Sequence, residues 1–206
     1  MLFRSAVGDA GKELRERVRA AADALVLGSS LDNSEVGMGP VIDGAARDRL
    51  FQAITDAEKK GLRLIRDGRQ QLPSRGFFVG PTLFDLVTPD QPLFQEELFG
   101  PVLGLAETKS LSQAIEWLNR LPYGNGATIF TSSGAAARDF ARHVTCGMVG
   151  VNVGVPAPMA VFPFSGWGDS FFGDLHVQGM EGVQFFTRQK VILSRWDRGY
   201  IRKQGW

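Results

Sequence analysis

The octapeptide Gln95-Glu96-Glu97-Leu98-Phe99-Gly100-Pro101-Val102 places an acidic pair, an aromatic ring and a Gly-Pro step immediately before an apolar segment. Residues Val102 to Ala106 predict a buried strand, so the two carboxylates stand at its entrance, where burial without a partner is costly. The residues alone allow two interpretations. The acidic pair belongs to a solvated surface turn, or one carboxylate binds the hydroxyl groups of a ligand beside an aromatic wall.

Downstream of this octapeptide, short apolar segments alternate with segments of helical periodicity. The sequence predicts, in chain order, a strand, a helix, a strand, a helix and a strand at Val102–Ala106, Leu111–Leu121, Ala127–Thr131, Ala135–Val144 and Met148–Val153. Short links between such elements predict a parallel sheet covered by helices. Ligands of these sheets bind outside the carboxyl ends of the strands, which places Asn152 to Phe164 at the edge where a ligand is expected.

Upstream of the octapeptide, two helices are predicted at Asp9–Leu27 and Ala45–Lys60. Asp43 is a candidate N-cap for the second helix and Gly61 is its expected C-terminal stop. Further candidate caps are Ser110, which begins a capping-box pattern with Gln113, and Ser133.

The last part of the chain has two unlike segments. Val153 to Phe172 is rich in Gly, Pro and Phe and lacks a helical period, and a long irregular loop of this kind is usually functional. Glu181 to Trp196 shows a strand-like pattern with enough apolar residues to require a partner strand. The tail from Asp197 to Trp206 has no clear assignment.

Composition excludes several classes of function. Net charge is +1 and no dense basic run occurs, so nothing indicates nucleic-acid binding. The single cysteine, Cys146, excludes an intrachain disulfide, and the two histidines, His143 and His176, are too few to predict a metal site. No apolar run is long enough to span a bilayer, and a reducing, cytoplasmic setting is expected.

Three blocks of sequence resemble one superfamily in order and spacing. Gln95–Val102 is similar to the E-E-[IL]-F-G-P-V block of aldehyde dehydrogenases, Asn119–Ala127 to their N-x-x-x-Y-G-x-x-A block, and Pro163–Trp167 to their P-F-[GS]-G-[YW] block. The resemblance extends from about Val7 to Trp196.

One branch of the superfamily is more similar than the others. The segments Asn125–Thr131, Gly147–Met159 and Phe171–His176 resemble methylmalonate-semialdehyde dehydrogenases of the CoA-acylating type. Most other branches carry a bulky residue near Gly150 and lack the Val-Pro-Ala-Pro run that begins at Val155.

The resemblance implies an α/β fold with a parallel sheet flanked by helices. Residues 1–182 would be the C-terminal part of the catalytic domain, and residues 183–206 would be an oligomerisation strand and tail. The implied partners are a small-molecule aldehyde and further copies of the chain, as a homo-oligomer that is tetrameric in the family. The implied chemistry belongs to valine catabolism. A cysteine thiolate attacks the aldehyde, hydride passes to NAD, and CoA cleaves the resulting thioacyl enzyme.

Residue by residue, the resemblance assigns three site residues. Glu97 matches the glutamate that binds the nicotinamide-ribose hydroxyls, and Phe99 matches the aromatic residue beside the nicotinamide. Phe164 matches an aromatic residue of the aldehyde pocket. The competing interpretation of both phenylalanines is a plain role in the core.

The family's nucleophile is expected just before the first helix, where this chain has Met1-Leu2-Phe3, and the nucleotide-binding domain that precedes it is not in the chain. No catalytic residue is therefore assigned within these residues. Cys146 is expected to be a small buried residue, because it stands at a helix-to-strand junction where the family has no catalytic group. Neither histidine matches a catalytic position. Gly168 departs from the family pattern, which usually has Lys there.

The sequence predicts that this chain alone lacks dehydrogenase activity. Three alternatives remain open: a fragment of a non-acylating aldehyde dehydrogenase, a non-catalytic assembly subunit, and a reading frame whose start was truncated or misassigned.

Overall fold

The computed structural model describes residues 3–31, 33–196 and 199, and its regular elements are short helices and strands. The α-helices are α1 Gly11–Asp23, α2 Gly44–Lys59, α3 Pro92–Gln95, α4 Leu111–Asn119, α5 Gly134–His143 and α6 Gly179–Phe185. The strands are β1 Phe3–Val7, β2 Arg63–Arg66, β3 Thr82–Asp85, β4 Val102–Thr108, β5 Tyr123–Gly124, β6 Gly126–Ile129, β7 Met148–Val151 and β8 Trp167–Gly168. A 3-10 turn, Gly8–Ala10, leads from β1 into α1.

The main sheet has four strands in the order β1-β4-β3-β2. Strand β4 is parallel to both of its neighbours, with Phe3 opposite Gly104 on one side and Leu83 opposite Leu103 on the other. The outer strand β2 is antiparallel to β3. The predicted class, a parallel sheet with flanking helices, is confirmed for this part of the chain, although β1 was not predicted.

The predicted single sheet through β4, β6 and β7 is wrong. Strands β6 and β7 form a separate parallel pair, with Ala127 opposite Val149, and β5 pairs with β8 in an antiparallel pair. The physical reason is that β4 has only two edges, and β1 and β3 occupy both of them. Strand β6 therefore has no edge of β4 on which to form hydrogen bonds.

Two groups of buried apolar side chains hold the elements together. In the first, α2 packs onto the main sheet through Leu50, Ile54 and Ala57. The second, smaller group lies between α4, α5 and the β6–β7 pair, and its buried members are Ile115, Phe140, Val144 and Cys146. The position of Cys146 in this second group confirms that it is a buried packing residue.

The predicted helix caps are observed. The Asp43 carboxylate accepts a hydrogen bond from the Ala46 N–H at 2.7 Å. The Ser110 and Ser133 hydroxyls accept from the backbone N–H three residues on, each at 3.2 Å. Gly61 follows α2 with φ of +80°, as its expected stop requires.

The predicted strand from Glu181 to Trp196 is wrong for this chain. Its first residues belong to α6, and residues 186–196 have no regular secondary structure. A strand persists only when a second strand satisfies its backbone groups, and no strand of the described residues pairs with this segment. Except for Gly199, the tail 197–206 lies outside the described residues.

A buried carboxylate joins α1 to the main sheet. The side chain of Asp85, the last residue of β3, is fully buried between two guanidinium groups. Arg15 Nη1 of α1 lies 3.5 Å from Oδ1, and Arg63 Nη1 lies 3.3 Å from Oδ2. Arg15 also pairs with Glu107 of β4. Helix α1 thus docks on the sheet through ion pairs of Arg15 with carboxylates on two strands.

Within the described residues, no helix combines the length and apolar character needed to cross a lipid bilayer.

Candidate functional site

The loop at residues 96–101 is held firmly at both ends. On its N-terminal side, the fully buried Phe94 of α3 stacks on Phe3, with ring centroids 3.9 Å apart, and meets the Trp117 ring edge-on at 6.1 Å. On its C-terminal side it runs directly into β4, and the Pro101 carbonyl accepts a hydrogen bond from the Thr82 N–H at 2.8 Å. The loop therefore presents its side chains from a fixed base.

Glu97 and Phe99 are both exposed on this loop. The Phe99 side chain is 80% exposed, so a core role for this ring is not observed. Its φ of +49° lies in the left-handed region, which costs a non-glycine residue on the order of 1–3 kcal/mol. Neighbouring contacts hold the strained turn, because Arg49 Nη2 donates to the Leu98 carbonyl at 2.8 Å.

The space beside Phe99 is shallow. The depression next to the ring, lined by Leu93, Leu98, Phe99 and Gly100 among others, has a volume of only about 10 Å³. A nicotinamide ring is far too large to be enclosed there. The loop therefore offers one wall of a ligand site rather than a complete pocket.

The turn after β7 is cross-linked to the end of β6. Asn152 has φ of +55°, its amide donates to the Thr131 carbonyl at 3.0 Å, and its side-chain oxygen accepts from the Thr131 N–H at 2.8 Å. These bonds fix the carboxyl ends of the β6–β7 pair. Beyond this turn the predicted functional loop is strongly exposed, with Val155 at 77% and Met159 at 71%.

Phe164 lies in the middle of that loop and is 39% exposed. Its N–H donates to the Val177 carbonyl at 2.9 Å. Three residues on, β8 pairs with β5, so Trp167 lies opposite Gly124. Two of the sequence blocks singled out above therefore meet in space.

The structure brings Glu97 and Phe99 together on one loop and places Phe164 on a different segment. Within the described part of the chain, no ring contact joins Phe99 to Phe164. Their assignment to one site therefore remains a prediction.

A further cluster centres on His176, which the sequence left without a role. Its Nδ1 lies 2.7 Å from Glu181 Oε2, and its Nε2 lies 3.1 Å from the Gly166 carbonyl oxygen and 3.4 Å from Ser165 Oγ. The Phe171 ring lies against the imidazole, with centroids 4.0 Å apart. The only indication in the sequence is a glutamate five residues after the histidine, across the start of a helix, which is too common a spacing to be informative.

The two titratable groups of this cluster shift each other's pKa. Burial works to lower the pKa of His176, but the hydrogen bonds to Glu181 and to the Gly166 carbonyl outweigh it and raise that pKa above its ordinary value. The backbone N–H and the imidazole of His176 hold the pKa of Glu181 below its ordinary value. The arrangement favours an imidazolium paired with a carboxylate.

Cys146 is not suited to nucleophilic chemistry. It is 6% exposed, and its thiol donates to the Met148 carbonyl at 3.3 Å. Burial raises the pKa of the thiol above its ordinary value, whereas a reactive cysteine needs a lowered one. His143, the other histidine, pairs with Asp139 on the surface of α5 at 2.9 Å.

Residues 7–192 match the model of the aldehyde dehydrogenase family. The chain belongs to the aldehyde dehydrogenase family. It is 48% identical over 193 residues to malonate-semialdehyde dehydrogenase 2 of Geobacillus kaustophilus, covering 93% of this chain and 40% of that protein. It is 44% identical over 192 residues to the malonate-semialdehyde dehydrogenase of Halalkalibacterium halodurans, covering 93% of this chain and 39% of that protein. The chain thus spans about 40% of the length of the curated relatives it matches.

Solved structures agree with this membership. The methylmalonate-semialdehyde dehydrogenase of Oceanimonas doudoroffii superposes with a TM-score of 0.89 at 41% identity, over 95% of this chain and 41% of that one. A putative methylmalonate-semialdehyde dehydrogenase of Sinorhizobium meliloti, solved in complex with NAD, superposes with a TM-score of 0.91 at 37% identity, over 97% of this chain and 41% of that one. The resemblance to the aldehyde dehydrogenases, and among them to malonate- and methylmalonate-semialdehyde dehydrogenases, is confirmed.

Proposed function

We propose that the chain forms the later part of the catalytic domain of an NAD-dependent, CoA-acylating malonate- or methylmalonate-semialdehyde dehydrogenase. The relatives of highest identity described above are named for these two semialdehydes. Strand β7 supports the same branch, because a Cβ at Gly150 would lie 2.5 Å from Thr128 Oγ1. The bulky residue of other branches would not fit at this position without rearrangement.

The structural feature that most supports this proposal is the loop that contains Phe99. A ring that is 80% exposed, on a strained turn braced from both ends, is costly unless a ligand uses it. We assign the Phe99 ring to the nicotinamide and the Glu97 carboxylate, two residues away on the same exposed loop, to the ribose hydroxyls. Carboxylate oxygens accept hydrogen bonds from hydroxyl groups, so the residue types fit this part of the cofactor. Bound there, NAD would accept the hydride.

Phe164 is assigned to the aldehyde pocket. Its backbone is fixed by Val177 while its ring stays partly exposed, so it can present an apolar face to a small aldehyde. The thiolate that attacks the aldehyde would come from residues outside this chain, because Cys146 is buried with a raised pKa. We therefore propose that the isolated chain does not oxidise aldehydes.

A fusion enzyme tests these assignments. In it, the part of the Geobacillus kaustophilus relative that precedes the matched region is joined to this chain. We expect it to reduce NAD with malonate semialdehyde and to form malonyl-CoA or its decarboxylated acyl-CoA product, while the isolated chain does neither. Formation of free acid without any dependence on CoA would favour the non-acylating alternative. Activity of the isolated chain, or inactivity of the fusion, would refute the proposal.

The ribose assignment has its own variant and matched control. Glu97→Gln in the fusion enzyme is expected to raise the KM for NAD about tenfold, since a hydrogen bond to a charged group contributes roughly 1.5–3 kcal/mol. The neighbouring Glu96→Gln removes the same charge and is expected to change that KM less than twofold, a difference of less than about 0.4 kcal/mol. Equal effects of the two substitutions would contradict the role of Glu97.

A second function, assembly, is favoured by the segment after α6. Val191, Leu193 and Trp196 are 85%, 94% and 93% exposed. An apolar segment of this kind requires a covering partner, and we propose that a second copy of the chain supplies it in a homo-oligomer.

A further inference from the structure

The backbone around Phe164 forms hydrogen bonds with the segment around His176. The Phe164 N–H donates to the Val177 carbonyl at 2.9 Å, and the Gly179 N–H donates to the Ala160 carbonyl at 3.0 Å. His176 adds a side-chain bond to the same stretch, since its Nε2 lies 3.1 Å from the Gly166 carbonyl oxygen. We call His176, Glu181 and the Gly166 carbonyl the His176 clamp.

Both ring nitrogens of His176 face groups that only accept hydrogen bonds. Nδ1 faces the Glu181 carboxylate at 2.7 Å and Nε2 faces the Gly166 carbonyl at 3.1 Å. Both nitrogens must therefore carry protons for both bonds to form, which makes the ring an imidazolium. The Phe171 ring, tilted by 32° against the imidazole, and the paired carboxylate both stabilise that charge. The His176 side chain is 16% exposed and that of Glu181 is 32% exposed, so the imidazole is the better shielded partner.

Ser165 gives the cluster a superficial likeness to a Ser-His-Glu nucleophilic triad. Its Oγ lies 3.4 Å from Nε2, farther than the Gly166 carbonyl at 3.1 Å. The Nε2 proton therefore points to the carbonyl, and the nitrogen has no lone pair to accept the serine proton. A histidine that cannot act as a base does not activate a nucleophile.

We propose that His176 is a positioning residue for Phe164: through the His176 clamp it fixes the turn after Phe164 and thereby the face that the ring presents to the aldehyde. The inference rests on the proposed assignment of Phe164 to the aldehyde pocket. His176 itself touches neither substrate nor cofactor in this proposal.

Amide hydrogen exchange in the isolated chain tests the clamp directly. His176→Gln keeps a polar side chain of similar size but cannot donate to both acceptors. We expect exchange of the Phe164 amide to accelerate about tenfold or more, as its local opening becomes easier. His143→Gln, which removes the exposed histidine of α5, is the matched control and is expected to leave that amide unchanged. Unchanged exchange at Phe164 in the His176→Gln variant would overturn the clamp.

Kinetics of the fusion enzyme separate positioning from general loss of structure. His176→Gln is expected to raise the KM for the aldehyde about tenfold, because misplaced contacts weaken substrate positioning, while kcat and the KM for NAD change less than about twofold. Glu181→Gln is expected to raise the aldehyde KM in the same way. The double variant should be no worse than either single variant, since both break one clamp.

The outcomes distinguish this inference from the proposed function. Inactivity of the unaltered fusion enzyme refutes the proposed function, and the inference with it. An active fusion enzyme whose aldehyde KM is unaffected by both His176→Gln and Glu181→Gln overturns the positioning role alone. Loss of turnover in Ser165→Ala with an unchanged aldehyde KM would overturn it in favour of the nucleophile.

Discussion

Gly168 shows how a single residue can be restricted by the space around it. Its φ is +56°, and a Cβ built on it would collide with the carbonyl oxygen of Pro122. The family block usually has Lys here, so the departure noted in the sequence coincides with a backbone position that suits glycine. The pairing of β5 with β8 depends on this position, because Gly168 lies opposite Tyr123.

Gly168→Ala is expected to destabilise the chain by about 1–3 kcal/mol, through left-handed strain and the displaced Pro122 carbonyl. The urea midpoint of unfolding measures this loss. Gly154→Ala is the matched control, since nothing lies within 4 Å of a Cβ there, and its effect should stay within about 0.5 kcal/mol. Equal midpoints for the two variants would show that the β5–β8 turn tolerates a side chain.

The His176–Glu181 pair predicts a pH window of stability. His176 has a raised pKa in the folded chain, so its contribution is complete below its ordinary pKa of about 6.5 and is lost as pH rises through the raised value. Glu181 has a lowered pKa, so its contribution is complete above its ordinary pKa of about 4.3 and is lost as pH falls through the lowered value.

Relative to His176→Gln, the unaltered chain should therefore be most stabilised between about pH 4.3 and 6.5 and should lose this advantage toward pH 8. Urea unfolding of both proteins at several pH values gives the difference in stability. A difference that is constant from pH 5 to 8 would contradict the linkage.

At the level of elements, side-chain caps explain why three helices, α2, α4 and α5, could be predicted. Ser110 at the start of α4 accepts a hydrogen bond from the Gln113 N–H at 3.2 Å. Asp43 at the start of α2 accepts one from the Ala46 N–H. A capping side chain and a stop residue act within one turn, so the signal and the structure lie in the same few residues. The four predicted helices agree closely with α1, α2, α4 and α5, except that α1 ends at Asp23 rather than Leu27, whereas α3 and α6 were not predicted.

Ser110→Ala is expected to cost about 1 kcal/mol of stability, because the Gln113 N–H loses its side-chain acceptor. Ser112→Ala is the control, since Ser112 is exposed within the first turn of α4 and caps nothing. Thermal unfolding of both variants compares them under one condition. A larger loss for Ser112→Ala would mean that the cap contributes little.

Sheet pairing could not be predicted in the same way, because it depends on partners distant in sequence. Strand β1 pairs with β4, about a hundred residues later. It thereby occupies an edge of β4 to which β6 could otherwise have bonded. The residues of Phe3–Val7 contain no local pattern that predicts this pairing. The C-terminal pattern of Val183, Phe185 and Thr187 alternated like a strand, yet in the absence of a partner the first two residues lie in α6.

The same distinction between local signals and distant contacts applies to the candidate site. Glu97 and Phe99 could be proposed as site residues because they lie within one contiguous sequence block. The His176 clamp could not, because its members come from a loop and a helix that meet only through folding. The backbone bond from Phe164 to Val177 likewise joins residues distant in sequence, and no local pattern encodes it.

At the scale of the whole molecule, the segment after α6 exposes the apolar side chains of Val191, Leu193 and Trp196. Leu193→Asp is expected to weaken association of the chain with itself about tenfold or more, because a charge would be buried at the interface. Ser194→Asp adds the same charge on an exposed neighbouring residue and is the control. Light scattering across a concentration series reports the association, and a chain that is monomeric at all concentrations would contradict the proposal of a second copy.

Asp85 has a consequence for how the molecule comes apart. Its carboxylate is fully buried and pairs with both Arg15 and Arg63. Separation of α1 from the sheet would remove Arg15 and leave the buried carboxylate with Arg63 as its remaining partner, which is unfavourable. Such a half-opened form is penalised more than either the closed or the fully unravelled one. Helix α1 and the main sheet should consequently unfold in a single cooperative step. The buried Asp85 carboxylate raises the free energy of any state in which α1 alone has separated.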